Sequence, residues 1–195
     1  MKKYDYIFFD LDGTISDSAP GIVNSVVFAL EHMGTPVGDR ERLKGVRRIF
    51  LVACGSSYHV GMVARYAIER MARVPVTVAL ASEFRYDEPM IGPETLVIII
   101  SQSGETIDTL FALREARERG ARVLSIVNVV GSSIAVESTD VLYTWAGPEI
   151  AGATTKAYST QLALMDFVGL YLGDLLGTVS KEAYTSAVEG IQCLP

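Results

Sequence analysis

Leu96-Val-Ile-Ile-Ile100 is an unbroken apolar run that passes directly into Ser101-Gln-Ser-Gly-Glu-Thr106, and a helical pattern follows at once. A strand with one face in water alternates apolar and polar residues. A strand with no such alternation is buried on both faces, as in a parallel sheet covered by helices. The loop that follows offers the side chains of Ser101, Gln102, Ser103 and Thr106 around Gly104. The start of a helix carries unpaired N–H groups and the positive end of the helix dipole, so it suits an anion, above all a phosphate. A purely local alternative makes Ser103 the N-cap, with Thr106 at the third helical position.

The same grammar recurs along the chain. Strands are predicted at Tyr6–Phe9, Ile49–Ala53, Val76–Leu80, Leu96–Ile100, Val123–Val127 and Val141–Thr144. Helical spacing separates them, with apolar positions at Ile22/Val26/Ala29/Leu30, at Val63/Ala67/Ile68/Met71 and at Ile107/Leu110/Phe111. Alternation of this kind predicts an α/β fold, a three-layer α-β-α sandwich around a parallel sheet. A long segment, Thr155–Leu176, is apolar nearly all round and is expected either to lie across the sheet or to form a homodimer interface. A last short helix, Ser180–Ile191, opens on Ser180 as its predicted N-cap. The turn-rich stretch Gly34-Thr-Pro-Val-Gly-Asp39 is the one seam, and it divides the chain into residues 1–38 and 39–195.

Charge and cysteine usage exclude several partner classes. The net charge of −6, with a pI near 5.0, and the lack of a long basic stripe argue against nucleic acid. Leu162–Leu176 is too short to span a bilayer and is interrupted by Asp166 and Asp174, so no membrane partner is expected. Two cysteines, Cys54 and Cys193, make neither a disulfide framework nor a CxxC pair, which suits the cytoplasm.

Ligands of open α/β sheets sit beyond the carboxyl ends of the strands. There the chain places further small, hydroxyl-rich turns: Cys54-Gly-Ser-Ser-Tyr58, Asn128-Val-Val-Gly-Ser-Ser133 and Ala146-Gly-Pro-Glu-Ile-Ala-Gly-Ala-Thr-Thr-Lys156. Converging on one sheet edge, they would form a polar pocket without a metal-ligand set, suited to a polyhydroxylated phosphate ester.

These segments, together with Ala81-Ser-Glu-Phe-Arg-Tyr86, resemble in order and spacing the sugar isomerase (SIS) domain of the glutamine–fructose-6-phosphate aminotransferase family, over about Leu43 to Pro195. The resemblance implies a five-stranded sheet of flavodoxin-like order, with the Tyr6–Phe9 strand as a possible extra member. It implies that Ser101, Gln102, Ser103 and Thr106 hold a sugar phosphate and that Ser57 contributes a hydroxyl to the sugar. It also places Gly152 and Thr154 against the ligand, where the family carries Val and Ser. The implied ligand is a hexose 6-phosphate such as fructose 6-phosphate or glucosamine 6-phosphate, and no cofactor is implied. The family's glutaminase nucleophile, catalytic base and Schiff-base lysine have no counterpart in these residues, so binding without independent turnover is expected. Lys156, Glu149 and His59 read as structural residues.

The opening segment Tyr6-Ile-Phe-Phe-Asp-Leu-Asp-Gly-Thr14 resembles a different family, the haloacid dehalogenase-type phosphatases, up to about Gly34. That resemblance implies Asp10 as nucleophile and Asp12 as general acid with Mg²⁺ offsetting the charge. The remaining groups of that chemistry do not follow, so residues 1–38 read as a βα fragment joined to the rest as in a chimera. A Mg²⁺-dependent phosphohydrolase and a structural dimerisation module are the alternatives to sugar-phosphate binding.

Overall fold

The computed structural model describes residues 43–148, 154 and 156–192. Five strands lie side by side: β1 (Arg48–Ala53), β2 (Val76–Leu80), β3 (Thr95–Ser101), β4 (Arg122–Val127) and β5 (Asp140–Tyr143). Their order is β2-β1-β3-β4-β5, and every neighbouring pair is parallel. This is the flavodoxin-like order that the family resemblance implies. The helices are α1 (Gly55–Ala72), α2 (Ala81–Phe84), α3 (Ile107–Glu118), α4 (Ser133–Glu137), α5 (Lys156–Leu175) and α6 (Lys181–Gln192). The predicted strand Tyr6–Phe9 and helix Ile22–Leu30 lie outside the described residues.

Every residue of β3 is buried, as its unbroken apolar run requires. Successive side chains point to opposite faces of a strand, so β3 feeds two cores. Leu96, Ile98 and Ile100 pack with Val60, Ala64 and Ile68 of α1 and with Leu164, Met165 and Val168 of α5. Val97 and Ile99 pack with Phe84 of α2, Ala112 and Leu113 of α3 and Ile134 of α4. Burying one such Ile or Leu side chain contributes roughly 1.5–3 kcal/mol, and these two clusters make the three layers.

The helix faces are rotated relative to the periodicity reading. In α1 the buried positions are Val60, Gly61, Ala64, Ile68 and Ala72, while Val63 is 53% exposed. In α3 they are Thr109, Ala112, Leu113 and Ala116, leaving Ile107 67% and Phe111 39% exposed. The sheet-facing sides carry small residues that let the helix come close, and the large apolar groups sit at the flank. Phe111 is covered there by the guanidinium groups of Arg85 and Arg114, 4.8 and 5.7 Å from its ring centre. The helices α2 and α4 are too short to show in the pattern.

The apolar character of Thr155–Leu176 is accounted for within the chain. Twelve residues of α5 between Ala157 and Gly173 are buried, against α1 and the sheet, while Asp166 and Asp174 are exposed. Its burial therefore calls for no second copy. The predicted cap of the last helix is present, with the Ala183 N–H donating to Ser180 Oγ at 3.2 Å.

Candidate functional site

In this strand order the chain leaves β1 for β2 on one side and returns to β3 on the other. The point where the direction of winding reverses opens a crevice at the carboxyl ends of β1 and β3. Ala53 and Ile100 are register partners there, so the turn after β1 and the loop after β3 emerge side by side. Between them is an open hollow of about 270 Å³, lined by residues 54–57 from one junction and 100–103, 106 and 109 from the other. Ser57, Ser101, Gln102, Ser103 and Thr106, dispersed along the sequence, are thus brought together. No lining residue carries a charged side chain.

The loop after β3 is shaped by bonds among its own members. Ser101 is the last residue of the strand, only 4% exposed, and its Oγ accepts the Gly104 N–H at 3.0 Å. Gly104 has φ +68, a left-handed conformation that side chains resist. A Cβ at Gly104 would lie 2.0 Å from Ser132 Oγ, so the glycine is needed for space as well as for its backbone. Ser103 Oγ accepts the Glu105 N–H at 3.2 Å. The N-cap of α3 is Thr106 and not Ser103, and no side-chain cap bond is made there. Ser103 bends the loop one step earlier, which corrects the local capping alternative and leaves the Thr106 hydroxyl uncommitted to its own helix.

The neighbouring loop after β4 is clasped to this one. Asn128 N–H donates to the Gln102 carbonyl at 3.1 Å, and Ile134 N–H to the Gly104 carbonyl at 3.0 Å. Glu105 accepts from both the N–H (2.8 Å) and the hydroxyl (2.7 Å) of Ser133. The Ser133 N–H, then its hydroxyl, hold the Glu105 carboxyl below the usual glutamate range, against a small opposing desolvation. Asn128 also steadies the segment after β5: its Oδ1 accepts from Thr144 Oγ1 and Ala146 N–H, and its Nδ2 donates to the Gly147 carbonyl at 2.8 Å.

The turn after β1 is held from further away. Cys54 is the N-cap of α1 and makes no side-chain cap bond. Ser57, in the first turn of α1, is 6% exposed and donates its hydroxyl to Gln161 Oε1 of α5 at 3.1 Å. Ser56 is exposed. Two helix starts, of α1 and α3, therefore open into one hollow with hydroxyl groups around them. Helix termini and hydroxyls attract an anion without needing a cation. Asp108 in the first turn of α3 is the opposing charge, and α1 has no acidic residue in its first turn.

The remaining expected residues fall elsewhere. Gly152 lies outside the described residues, as do Glu149, Asp10 and Asp12. Thr154 is partly buried and does not line the hollow. His59 is exposed, with its ring edge-on to Tyr58 at 5.8 Å, a rim position. Among the described residues no group of three or more His, Cys, Asp or Glu could hold a metal ion, and no helix is long and apolar enough to cross a membrane. Two residues of the site escape the motif reading. Thr109 stands one turn after Thr106 and is 1% exposed, and Gln161 is 1% exposed in α5. The signal for the second is a lone amide within an apolar helix.

Comparison with known proteins agrees with this architecture. A family model described as SIS domain matches residues 42–170. Glutamine–fructose-6-phosphate aminotransferase (isomerizing) of Clostridium tetani is 54% identical over 156 residues, covering 80% of this chain and 26% of that protein. The same enzyme from Corynebacterium glutamicum is 42% identical over 190 residues, covering 95% of this chain and 30% of that protein. The latter match takes in much of the stretch read above as phosphatase-like. Among solved structures, the C-terminal domain of glucosamine-fructose-6-phosphate aminotransferase from Francisella tularensis superposes with a TM-score of 0.81 at 33% identity, over 90% of this chain and 50% of that one. The chain thus spans between a quarter and a third of the length of the curated relatives it matches.

Proposed function

The chain belongs to the SIS domain family, and from that premise we propose that it binds a hexose 6-phosphate in the hollow between β1 and β3, without independent turnover. The observation that carries this reading is the convergence of the starts of α1 and α3 with the hydroxyls of Ser57, Ser101, Ser103 and Thr106 around one uncharged hollow. In this reading Ser101, Gln102, Ser103 and Thr106 surround the phosphate and Ser57 meets the sugar. The resemblance assigns Gly152 and Thr154 to the ligand as well, and Thr154 is the one of the two among the described residues.

Fructose 6-phosphate and glucosamine 6-phosphate are the preferred candidates, because the relatives named above act in fructose-6-phosphate amination. The proposal places the protein in the cytoplasm and takes residues 39–195 as the ligand-binding unit. It does not extend to the expected homodimer through Thr155–Leu176, because most residues of α5 are buried in its own chain.

Thermal unfolding with and without ligand tests the reading. Fructose 6-phosphate or glucosamine 6-phosphate should raise the melting temperature, whereas fructose and glucosamine should not. Ligand at about a hundred times its dissociation constant should stabilise by roughly 2.7 kcal/mol. No shift at millimolar hexose phosphate would refute it.

A further inference from the structure

Among the described residues, three buried side-chain polar atoms lack a hydrogen-bond partner: Thr109 Oγ1, Ser132 Oγ and Gln161 Nε2. Buried groups of this kind are rare in a folded domain and call for an explanation. Two of them belong to the hollow: Thr109 lines it, and Gln161 is bonded to Ser57, which lines it. Ser132 Oγ lies against Gly104 of the loop after β3.

We propose that Gln161 is a positioning residue that commits the Ser57 hydroxyl to accepting a hydrogen bond from a sugar hydroxyl. The inference rests on the sugar-phosphate reading above and specifies which end of the ligand Ser57 faces. A serine hydroxyl has one proton to donate and two lone pairs with which to accept. Ser57 spends its proton on Gln161 Oε1 at 3.1 Å, with both residues buried. What it turns toward the hollow is therefore lone pairs. These repel a phosphate oxygen, which can only accept, and attract the O–H of a polyol. The Ser101–Thr106 side presents the opposite character, because the start of α3 offers N–H donors and the Thr106 hydroxyl is free of its own cap. The start of α1 offers N–H donors beside Ser57 too, so the contrast lies in the Ser57 hydroxyl itself: it accepts where Thr106 can donate, and this orients a phosphorylated sugar.

The contrast also explains why a buried amide is tolerated in an otherwise apolar stretch of α5. Gln161 reaches Ser57 across 104 residues of sequence, and its Nε2 engages no other group. Replacing it removes one hydrogen bond and leaves the rest of α5 as it is.

Isothermal titration of the full chain with fructose 6-phosphate and, separately, with inorganic phosphate tests this. The proteins are the parent, Gln161→Met, Ser57→Ala and the double variant. Gln161→Met should weaken fructose 6-phosphate by about tenfold, the loss of one well-placed hydrogen bond. Inorganic phosphate should bind all four proteins within about twofold, because a purely structural defect would move both ligands together. In the Ser57→Ala background the Gln161→Met change should have no further effect on fructose 6-phosphate, since the group it positions is gone. If Gln161→Met fails to fold, Gln161→Leu supplies the second test: it is apolar and of similar volume, also removes the acceptor, and should weaken fructose 6-phosphate by the same factor of about ten. Unchanged sugar-phosphate affinity in Gln161→Met, additive losses in the double variant, or an equal loss for inorganic phosphate would each overturn the assignment. A parent that does not bind fructose 6-phosphate at all overturns the sugar-phosphate reading with it, and is distinguishable because no variant is needed to see it.

Discussion

The turns after β1 and after β3 are written in much the same letters, Cys54-Gly-Ser-Ser and Ser101-Gln-Ser-Gly, yet they are held by different means. After β3 the bonds are local: Ser101 to Gly104, Ser103 to Glu105, and then a clasp to the adjacent loop at Ser133. After β1 the N-cap makes no side-chain bond, and Ser57 is fixed by an amide 104 residues away. The first junction takes its shape from its own bonds and its neighbouring loop, and depends on one glycine. The second takes its chemistry from the helix that packs beneath it. Damage to the glycine of the first should therefore appear in stability and phosphate binding together, damage to its Thr106 hydroxyl, which caps nothing, in binding alone, and damage to the second in sugar recognition.

The sharpest way to break the contrast is at its glycines. Gly104→Ala asks a side chain to sit at φ +68 with its Cβ 2.0 Å from Ser132 Oγ and 2.5 Å from Ser132 Cβ. Left-handed strain and overpacking each cost about 1–3 kcal/mol, so a loss of roughly 2–6 kcal/mol is expected in urea unfolding. Ser132→Gly in the same chain should return the steric part and leave the backbone part. Full stability in Gly104→Ala would mean that the loops are not interlocked.

Thr106→Ala comes next. A hydroxyl bonded to a charged phosphate contributes roughly 1.5–3 kcal/mol, and the Thr106 hydroxyl caps nothing in its own helix. Calorimetry should show that loss in fructose 6-phosphate affinity with an unchanged unfolding midpoint. Equal loss of stability and affinity would return Thr106 to a structural role.

Gly55→Ala is the matched control in the other junction. Gly55 also has positive φ, +57, but a Cβ there would meet nothing within 4 Å. Only the backbone penalty remains, about 1–2 kcal/mol. If Gly55→Ala proved as damaging as Gly104→Ala, crowding would not distinguish the two turns.

The same contrast separates what is legible in the sequence from what is not. The strands follow from apolar runs such as Leu96–Ile100, because burial on both faces requires a parallel sheet covered by helices; their order follows only from the family resemblance. The hydroxyl-rich loop is legible for a similar reason, since Ser101, Ser103 and Thr106 are adjacent in sequence as well as in space. Periodicity finds α1 and α3 but only part of their buried faces: Ile68 is buried, whereas Val63, Ile107 and Phe111 are exposed. Ala64, Ala112 and Ala116 give a weak signal beside Val63 or Phe111, although close approach to the sheet favours the small residues. Gln161 is invisible for another reason: nothing local says that an amide in α5 will meet a serine at the start of α1. Long-range pairings follow from packing, and packing is decided by the whole layer.

The smallest effect, and the most specific, concerns Glu105, which joins the β3 loop to its neighbour. Both carboxylate oxygens accept hydrogen bonds from Ser133, one from the N–H at 2.8 Å and one from the hydroxyl at 2.7 Å. Those bonds favour the charged form and lower the Glu105 pKa, the backbone bond contributing more than the hydroxyl. A folded-state pKa below the unfolded one means that the contribution is complete above the unfolded value and is lost as pH falls through the folded value. The clasp should thus be fully formed at neutral pH and open only on acidification beneath the ordinary glutamate value of 4.5. Carboxyl ¹³C titration of the parent should give Glu105 a midpoint below that value, and Ser133→Ala should move it partway back because the N–H bond survives. A midpoint at or above 4.5 in the parent would show that Glu105 does not hold Ser133 in solution, and the β3 loop would then be as dependent on distant packing as the turn after β1.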